Sequence, residues 1–65
     1  MSELAIKRMA NQIAANLKNR SDAQSATVTH LKSFWTPAMI LELKVLAQNE
    51  PAELDELILK VLPQI

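Results

Sequence analysis

Apolar residues recur at three- and four-residue steps through most of the chain, and this spacing predicts helices. The first stripe is the clearest, and it places five residues on one helix face: Ile6, Met9, Ala10, Ile13 and Leu17. Ser2 belongs to the residue types that cap helix N-termini, so we predict a first helix from Ser2 to about Asn19. The stripe is expected to be its buried face.

A second helix is predicted from a cap signal and a shorter stripe. Ser21 followed three residues later by Gln24 has the form of a capping box, in which each side chain bonds the other residue's backbone N–H. Val28, Leu31 and Trp35 then fall on one side of the helix. We expect that side to be buried.

A proline separates this helix from a third one. Pro37 disfavours the helical conformation at Thr36 and itself suits the first helical position, with Thr36 as the cap. The main apolar stripe of the third helix comprises Met39, Leu43, Leu46 and Ala47. A second apolar line lies on the opposite side and comprises Ala38, Leu41 and Val45. A helix that is apolar on two sides needs two neighbours, so the second line is expected to meet either another helix of this chain or another molecule.

Pro51 marks the start of a fourth helix that is predicted to run to about Leu62. Its core face comprises Leu54, Leu57, Ile58, Val61 and Leu62. Four acidic residues crowd its first turns, where the helix dipole favours negative charge: Glu50, Glu53, Asp55 and Glu56. The pattern as a whole predicts an all-α fold, a small compact bundle of about four short helices in a single domain over residues 1–65.

Composition limits how this bundle is stabilised. The 65 residues include no cysteine and one histidine, His30, so disulfides and a histidine-rich metal site are not expected. Hydrophobic residues make up 49% of the chain, and so small a domain has too little interior to bury them all, so some apolar surface should remain exposed. No apolar run reaches the roughly 18 residues of a membrane span, and the N-terminal residues do not resemble a signal peptide. We therefore expect a cytoplasmic protein without a membrane partner.

The net charge is zero, but the two halves differ in sign. Residues 1–32 hold five cationic side chains against two carboxylates, whereas residues 33–65 hold two against five, giving +3 and −3. The halves can attract each other within the fold or orient a partner, and ordinary solvated helix faces would give the same pattern. A neutral chain without a long basic run does not favour nucleic-acid binding.

No residue pattern indicates catalysis. Ser33 and His30 stand one helical turn apart, but no orienting acid or oxyanion loop accompanies them. The sequence has no glycine for a phosphate-binding loop. We expect no catalytic, cofactor-binding or metal-binding residue in this chain, and a function that depends on binding another protein.

Two large rings stand beside the proline that separates the second and third helices, in the run Phe34-Trp35-Thr36-Pro37. Trp35 continues the stripe of Val28 and Leu31 and is expected to pack in the core. Phe34 lies toward the edge of that stripe and is the better candidate for contact with a partner.

Two blocks of sequence resemble the delta subunit of soluble NAD-dependent formate dehydrogenases. The first runs from Arg8 to Ala14, and the second comprises His30-Leu31 and Phe34 to Met39. The resemblance extends from about Leu4 to Leu62 and places the family signature at these positions: Arg8, Asn11, Gln12, Phe34, Trp35, Pro37 and Met39. Arg8 and Asn11 lie off the buried stripe, so we interpret them as partner contacts, together with Leu41 and Val45 of the third helix.

The resemblance implies an accessory subunit that binds the larger catalytic subunit and supports its stability or assembly. The parent complex would hold a molybdenum or tungsten pterin, iron–sulfur clusters, FMN and NAD, all in other chains. The sequence departs from the family at Thr36, where an acid is usual, and at Ala38 and Ile40, where arginines are usual. An alternative is a self-associating helical interaction module unrelated to formate oxidation, which would form a homodimer through Leu41 and its neighbours.

Overall fold

The computed structural model describes residues 2–65 and confirms the expected all-helical fold. Within those residues there are four α-helices: α1 (Glu3–Leu17), α2 (Ala23–Phe34), α3 (Pro37–Asn49) and α4 (Glu56–Val61). Two 3-10 helices, Pro51–Glu53 and Leu62–Gln64, stand before and after α4. Helix α1 packs against α2, α3 and α4, and α2 also packs against α4. No helix in this part of the chain is long and apolar enough to cross a bilayer.

Two of the predicted helix starts are confirmed by their caps. The Ser2 hydroxyl accepts a hydrogen bond from the backbone N–H of Ala5 at 3.2 Å, and α1 ends slightly earlier than expected, at Leu17. The Thr36 hydroxyl accepts from the N–H of Met39 at 3.2 Å, and Pro37 occupies the first turn of α3. Threonine therefore caps this helix with its hydroxyl.

The capping box predicted at Ser21 and Gln24 is wrong. Helix α2 begins at Ala23 behind Asp22, whose side chain makes no cap hydrogen bond. Both carboxylate oxygens of Asp22 instead accept from the guanidinium of Arg20, at 2.7 and 2.8 Å. This hydrogen-bonded pairing lowers the pKa of Asp22 below its ordinary value. The Asp22 carboxylate, which stands nearest the start of α2, therefore bonds Arg20 and not the backbone of the helix.

The single fourth helix predicted from Pro51 to Leu62 is also wrong, because it is divided in two. After the 3-10 helix, Leu54 adopts extended backbone angles of φ −113° and ψ 144°. Helix α4 starts afresh behind Asp55, whose carboxylate accepts the N–H of Leu57 at 3.0 Å. The five core positions of this segment are nevertheless all buried as predicted: Leu54, Leu57, Ile58, Val61 and Leu62.

The core lies where the four helices meet, but α1 is rotated relative to the predicted stripe. Its buried residues are Ile6, Ala10 and Ala14, while Met9 is 37% exposed. Ile13 and Leu17 are only half-buried. Two alanines one turn apart let neighbouring helices approach α1 closely, and this close face excludes the longer methionine side chain.

The other helices contribute larger side chains to the same core. Leu31 of α2 and Leu43 of α3 are fully buried, and Trp35 and Leu46 are nearly so. The predicted partners Val28, Met39 and Ala47 are half-buried. Thr27 is the one buried polar side chain among residues 2–65, and its hydroxyl donates to the carbonyl of Ala23 at 2.7 Å. Its polar group is therefore satisfied within the helix.

Ion pairs join the basic half of the chain to the acidic half. Lys7 Nζ lies 2.8 Å from a carboxylate oxygen of Glu50, and Lys18 Nζ lies 3.9 Å from Asp55. The hydrogen bond to Glu50 raises the pKa of Lys7 above the ordinary lysine value. The opposite charges of the halves thus attract each other within one fold, as the first of the sequence interpretations had it.

Candidate functional site

An open, mainly apolar groove runs between α1 and the end of α2, and we call it the α1–α2 groove. Its volume is about 630 Å³. Eight residues line it: Arg8, Met9, Gln12, Ile13, His30, Phe34, Trp35 and Met39. Five of these are apolar and none is acidic, so the groove combines an apolar surface with a cationic margin.

The aromatic pair of the sequence is divided between this groove and the core. Phe34 is the last residue of α2, and its side chain is 74% exposed. The next residue, Trp35, has extended backbone angles of φ −96° and ψ 139°, and its side chain is only 7% exposed. The end of the helix therefore sends one ring inward and leaves the other outside. The Phe34 ring contacts the His30 ring, with centroids 4.9 Å apart and planes inclined by 43°.

Trp35 also lines a second groove on its other side, which we call the Trp35–α3 groove. This groove has a volume of about 490 Å³. It is lined by Lys32, Trp35, Pro37, Ile40, Leu41, Lys44 and Ile65. Two of these residues are joined by a hydrogen bond, because the Lys44 ammonium donates to the backbone oxygen of Ile65 at 2.7 Å. The Trp35 side chain thus lines both the α1–α2 groove and the Trp35–α3 groove.

The structure brings together most of the residues that the sequence marked for partner contact. The α1–α2 groove contains Arg8, Gln12, Phe34, Trp35 and Met39, and the Trp35–α3 groove adds Pro37 and Leu41. Val45 is exposed on α3 but lines neither groove. Asn11 lies apart from both.

The second apolar line of α3 is not covered by another helix of the described chain. Leu41 is 64% exposed, and Ala38 and Val45 are exposed as well. Of the two neighbours expected for this line, a helix of the same chain is therefore ruled out within residues 2–65. Ile40, one residue before Leu41, is half-buried and lines the Trp35–α3 groove.

Asn11 is explained within the chain. Its carboxamide nitrogen donates to the carbonyl of Glu53 at 2.9 Å, and its carboxamide oxygen accepts the N–H of Asp55 at 2.8 Å. These two bonds satisfy backbone groups on both sides of the extended Leu54 and tie α1 to the segment before α4. The position of Asn11 off the buried stripe therefore does not require a partner, because the side chain already has this structural role.

We expect Asn11→Ala to lower the free energy of unfolding by about 1–3 kcal/mol, because it removes two hydrogen bonds that each contribute about 0.5–1.5 kcal/mol. Urea denaturation followed by circular dichroism measures the change. Asn19→Ala is the matched control, since Asn19 is exposed in the turn after α1 and should shift the stability by less than about 0.5 kcal/mol. Equal losses in the two variants would contradict the role assigned to Asn11.

Three groove residues were not recognised as such from the sequence. Met9 and Ile13 were assigned to the core stripe, and His30 was given no particular role. The spacing of Ile6, Ala10 and Ala14 at four-residue steps was the available signal, because a core centred on that line leaves Met9 at its edge. His30 stands one turn before Phe34, so its side chain necessarily shares that helix face.

The polar groups of the α1–α2 groove are suited to binding. Arg8 forms no ion pair or side-chain hydrogen bond with any other of residues 2–65. The Gln12 carboxamide donates to the Asn16 side chain at 3.2 Å. No three acidic or histidine side chains in the described chain are grouped as a metal site would need. An exposed ring beside an uncommitted guanidinium can anchor a protein surface that carries apolar and acidic groups.

Comparison with known proteins gives one family. The model of the family described as "NADH-dependant formate dehydrogenase delta subunit FdsD" matches residues 6–62. The match covers all four helices apart from the first turn of α1. No curated protein and no solved structure matched the chain.

Proposed function

Because the chain belongs to the FdsD family of formate dehydrogenase delta subunits, we propose that it is an accessory subunit that docks on the larger catalytic subunit through the α1–α2 groove. It contributes no catalytic residue in this proposal. The observation that carries the docking site is the exposure of Phe34 beside the buried Trp35, in the block that the family resemblance marks.

Energetics support a partner on this face. Covering a phenylalanine side chain that is otherwise in water contributes about 1.5–3 kcal/mol, and Met9 and Met39 add flexible apolar surface that adapts to a partner. Aromatic residues at the centre of an apolar patch with a polar margin are typical binding anchors. The α1–α2 groove has this composition, and the adjoining Trp35–α3 groove extends the apolar surface around the Trp35 ring.

The proposed role is to stabilise the catalytic subunit or assist its assembly in the cytoplasm. The molybdenum or tungsten pterin, the iron–sulfur clusters, FMN and NAD would all be held by other chains of the complex. The chain's own residues would supply contact area and orientation only. Its two ion pairs between the halves and the Asn11 hydrogen bonds tie α1 to the segment from Glu50 to Asp55.

A second candidate function is self-association, which the exposed line of Leu41 and Val45 on α3 favours. This line is three residues long, with Ala38 as the third. Stable interfaces usually bury about 800 Å² on each partner, and a line of this length supplies only part of that area. The accessory-subunit proposal is therefore preferred, with a dimer as its competitor.

The experiment is a pull-down with the tagged chain, expressed in its source in place of the native copy, at low salt. We expect a large metalloenzyme subunit in the eluate by mass spectrometry, together with formate-dependent NAD reduction. The tag alone is the control. Recovery of the chain only as a homodimer, with no large subunit and no activity, would contradict the proposal and favour self-association.

A further inference from the structure

The residues that line the α1–α2 groove recur at helical spacing. Arg8 and Gln12 stand one turn apart on α1, as do Met9 and Ile13, and His30 precedes Phe34 by one turn on α2. Rows of side chains at four-residue steps form the ridges between which another helix packs, at about 8–10 Å between axes. Such rows on two neighbouring helices leave a groove in which one or two turns of another helix can pack.

Other modes of peptide recognition fit less well. Residues 2–65 contain no β-strand, so no sheet edge is available for an added strand. Proline-rich peptides dock in grooves lined by several exposed aromatic rings. Of the two large rings in this groove, Phe34 is exposed and Trp35 is buried. A helix with an apolar face matches both the shape and the apolar surface.

The charges of the groove indicate which charged group its occupant carries. Lys7 of α1 and Lys18, the residue after its end, are paired with Glu50 and Asp55. Arg8 of α1 has no acidic partner among residues 2–65. No acidic residue lines the groove. A guanidinium beside an apolar surface binds a carboxylate strongly when a partner excludes water from the pair. Arg8 is therefore free to pair with a carboxylate that an occupant of the groove carries.

A second copy of this chain does not provide it through the same face. A two-fold contact sets each patch against its own copy. Each groove would then face its own copy, which contains no acid, so neither Arg8 would gain a carboxylate. Like charges at an interface oppose such pairing.

We propose that the α1–α2 groove receives an amphipathic helix of the larger subunit, with an apolar residue packed against Phe34 and a carboxylate on Arg8. This inference rests on the proposed function and adds the chemistry of the docking segment. The occupant is thus a helix whose apolar face carries an aspartate or glutamate about one turn from its central apolar anchor.

Photo-crosslinking tests the segment directly. The tagged chain carries p-benzoylphenylalanine at Phe34, and the crosslinked peptide from the purified complex is identified by mass spectrometry. We expect a helical segment of the larger subunit with an aspartate or glutamate three or four residues from the crosslinked position. The same photoreactive residue at Leu4, which is exposed but lines neither groove, should not give that peptide. A segment without a nearby acid, or a crosslink to a second copy, would overturn the inference.

Charge substitution tests the pairing. Arg8→Gln is expected to weaken binding of the larger subunit about tenfold or more, and Arg8→Lys to restore part of it, because the pair is desolvated in the complex. Lys18→Gln removes the same charge just after α1 and outside the groove. Because its ion pair with Asp55 is long and partly exposed, the loss should leave affinity within about twofold. Equal effects of the two neutral variants would show a general charge attraction and refute the specific contact.

The two proposals fail in different ways. If the wild-type chain recovers no larger subunit, the proposed function is wrong, and the inference fails with it. If the wild type recovers the subunit and Arg8→Gln recovers it equally well, the accessory role stands and only the acidic helix is rejected. Circular dichroism of each variant verifies that the helices are intact.

Discussion

Replacing Leu31 by alanine is expected to leave little folded protein at physiological temperature. Leu31 is fully buried in the last turn of α2, a helix that packs against α1 and α4, and truncation of such a side chain costs about 2–5 kcal/mol. A domain of this size without disulfides or metal has only about 3–5 kcal/mol of stability. The expected loss is therefore comparable to the whole stability of the isolated chain.

Thermal and urea denaturation followed by circular dichroism measure this loss. Leu41→Ala is the matched control, because it is the same substitution on an exposed helix face. It should change the free energy of unfolding by less than about 0.5 kcal/mol. A Leu31→Ala chain that unfolds at the same urea concentration as Leu41→Ala would show that the core is not the one described. Addition of the larger subunit should restore folding of Leu31→Ala if the two proteins associate as proposed.

Phe34→Ala should separate binding from folding. The Phe34 ring ends α2 and is largely in solvent, so its removal should change stability little. At a docked interface the same ring would be a central anchor, and truncation of such anchors costs about 2 kcal/mol or more, which is about thirtyfold in Kd. We therefore expect the variant to fold like the wild type and to lose the larger subunit in the pull-down.

Leu4→Ala is the control for this prediction. Leu4 is also an exposed apolar residue, but it lies outside both grooves and should bind normally. Titration of the purified larger subunit with each chain gives the two dissociation constants. Equal affinities for Phe34→Ala and wild type would move the docking surface elsewhere, with the exposed line of Leu41 and Val45 as the next region to test.

Local signals in the sequence were sufficient for the fold class and for two of the helix starts. Ser2 and the Thr36-Pro37 pair act through neighbours within one turn, so their effect can be predicted without knowledge of the rest of the fold. The same is true of the core positions around Leu57 and Ile58, whose spacing persists although the helix is interrupted.

The errors arose where a distant or competing contact decided the outcome. Leu54 is extended because Asn11, more than forty residues away in sequence, binds the backbone groups on either side of it. The capping box predicted at Ser21 fails because α2 begins one residue later, behind Asp22, whose carboxylate bonds Arg20. Neither contact is visible in the periodicity of a single segment. Both show a side-chain hydrogen bond overriding a local preference.

The candidate site was predictable only in part for the same reason. Phe34 and Trp35 were correctly divided into an exposed and a buried ring, because Trp35 continues the helical spacing of Val28 and Leu31 and Phe34 lies at the edge of that stripe. The inclusion of Met9 and His30 depended on how α1 is rotated against α2, which the small side chains of Ala10 and Ala14 determine. Helix rotation is a tertiary property, and a broad apolar stripe does not fix it.

Because Trp35 lines both grooves, its fluorescence can report on each of them. Trp35 is the only tryptophan in the sequence, and it borders both grooves while remaining in the core. Its fluorescence emission depends on the polarity around the indole, so one intrinsic fluorophore responds to unfolding and to the arrival of a partner on either side. Binding can therefore be followed without a label, and the Phe34 and Leu41 variants assign the spectral change to one groove or the other.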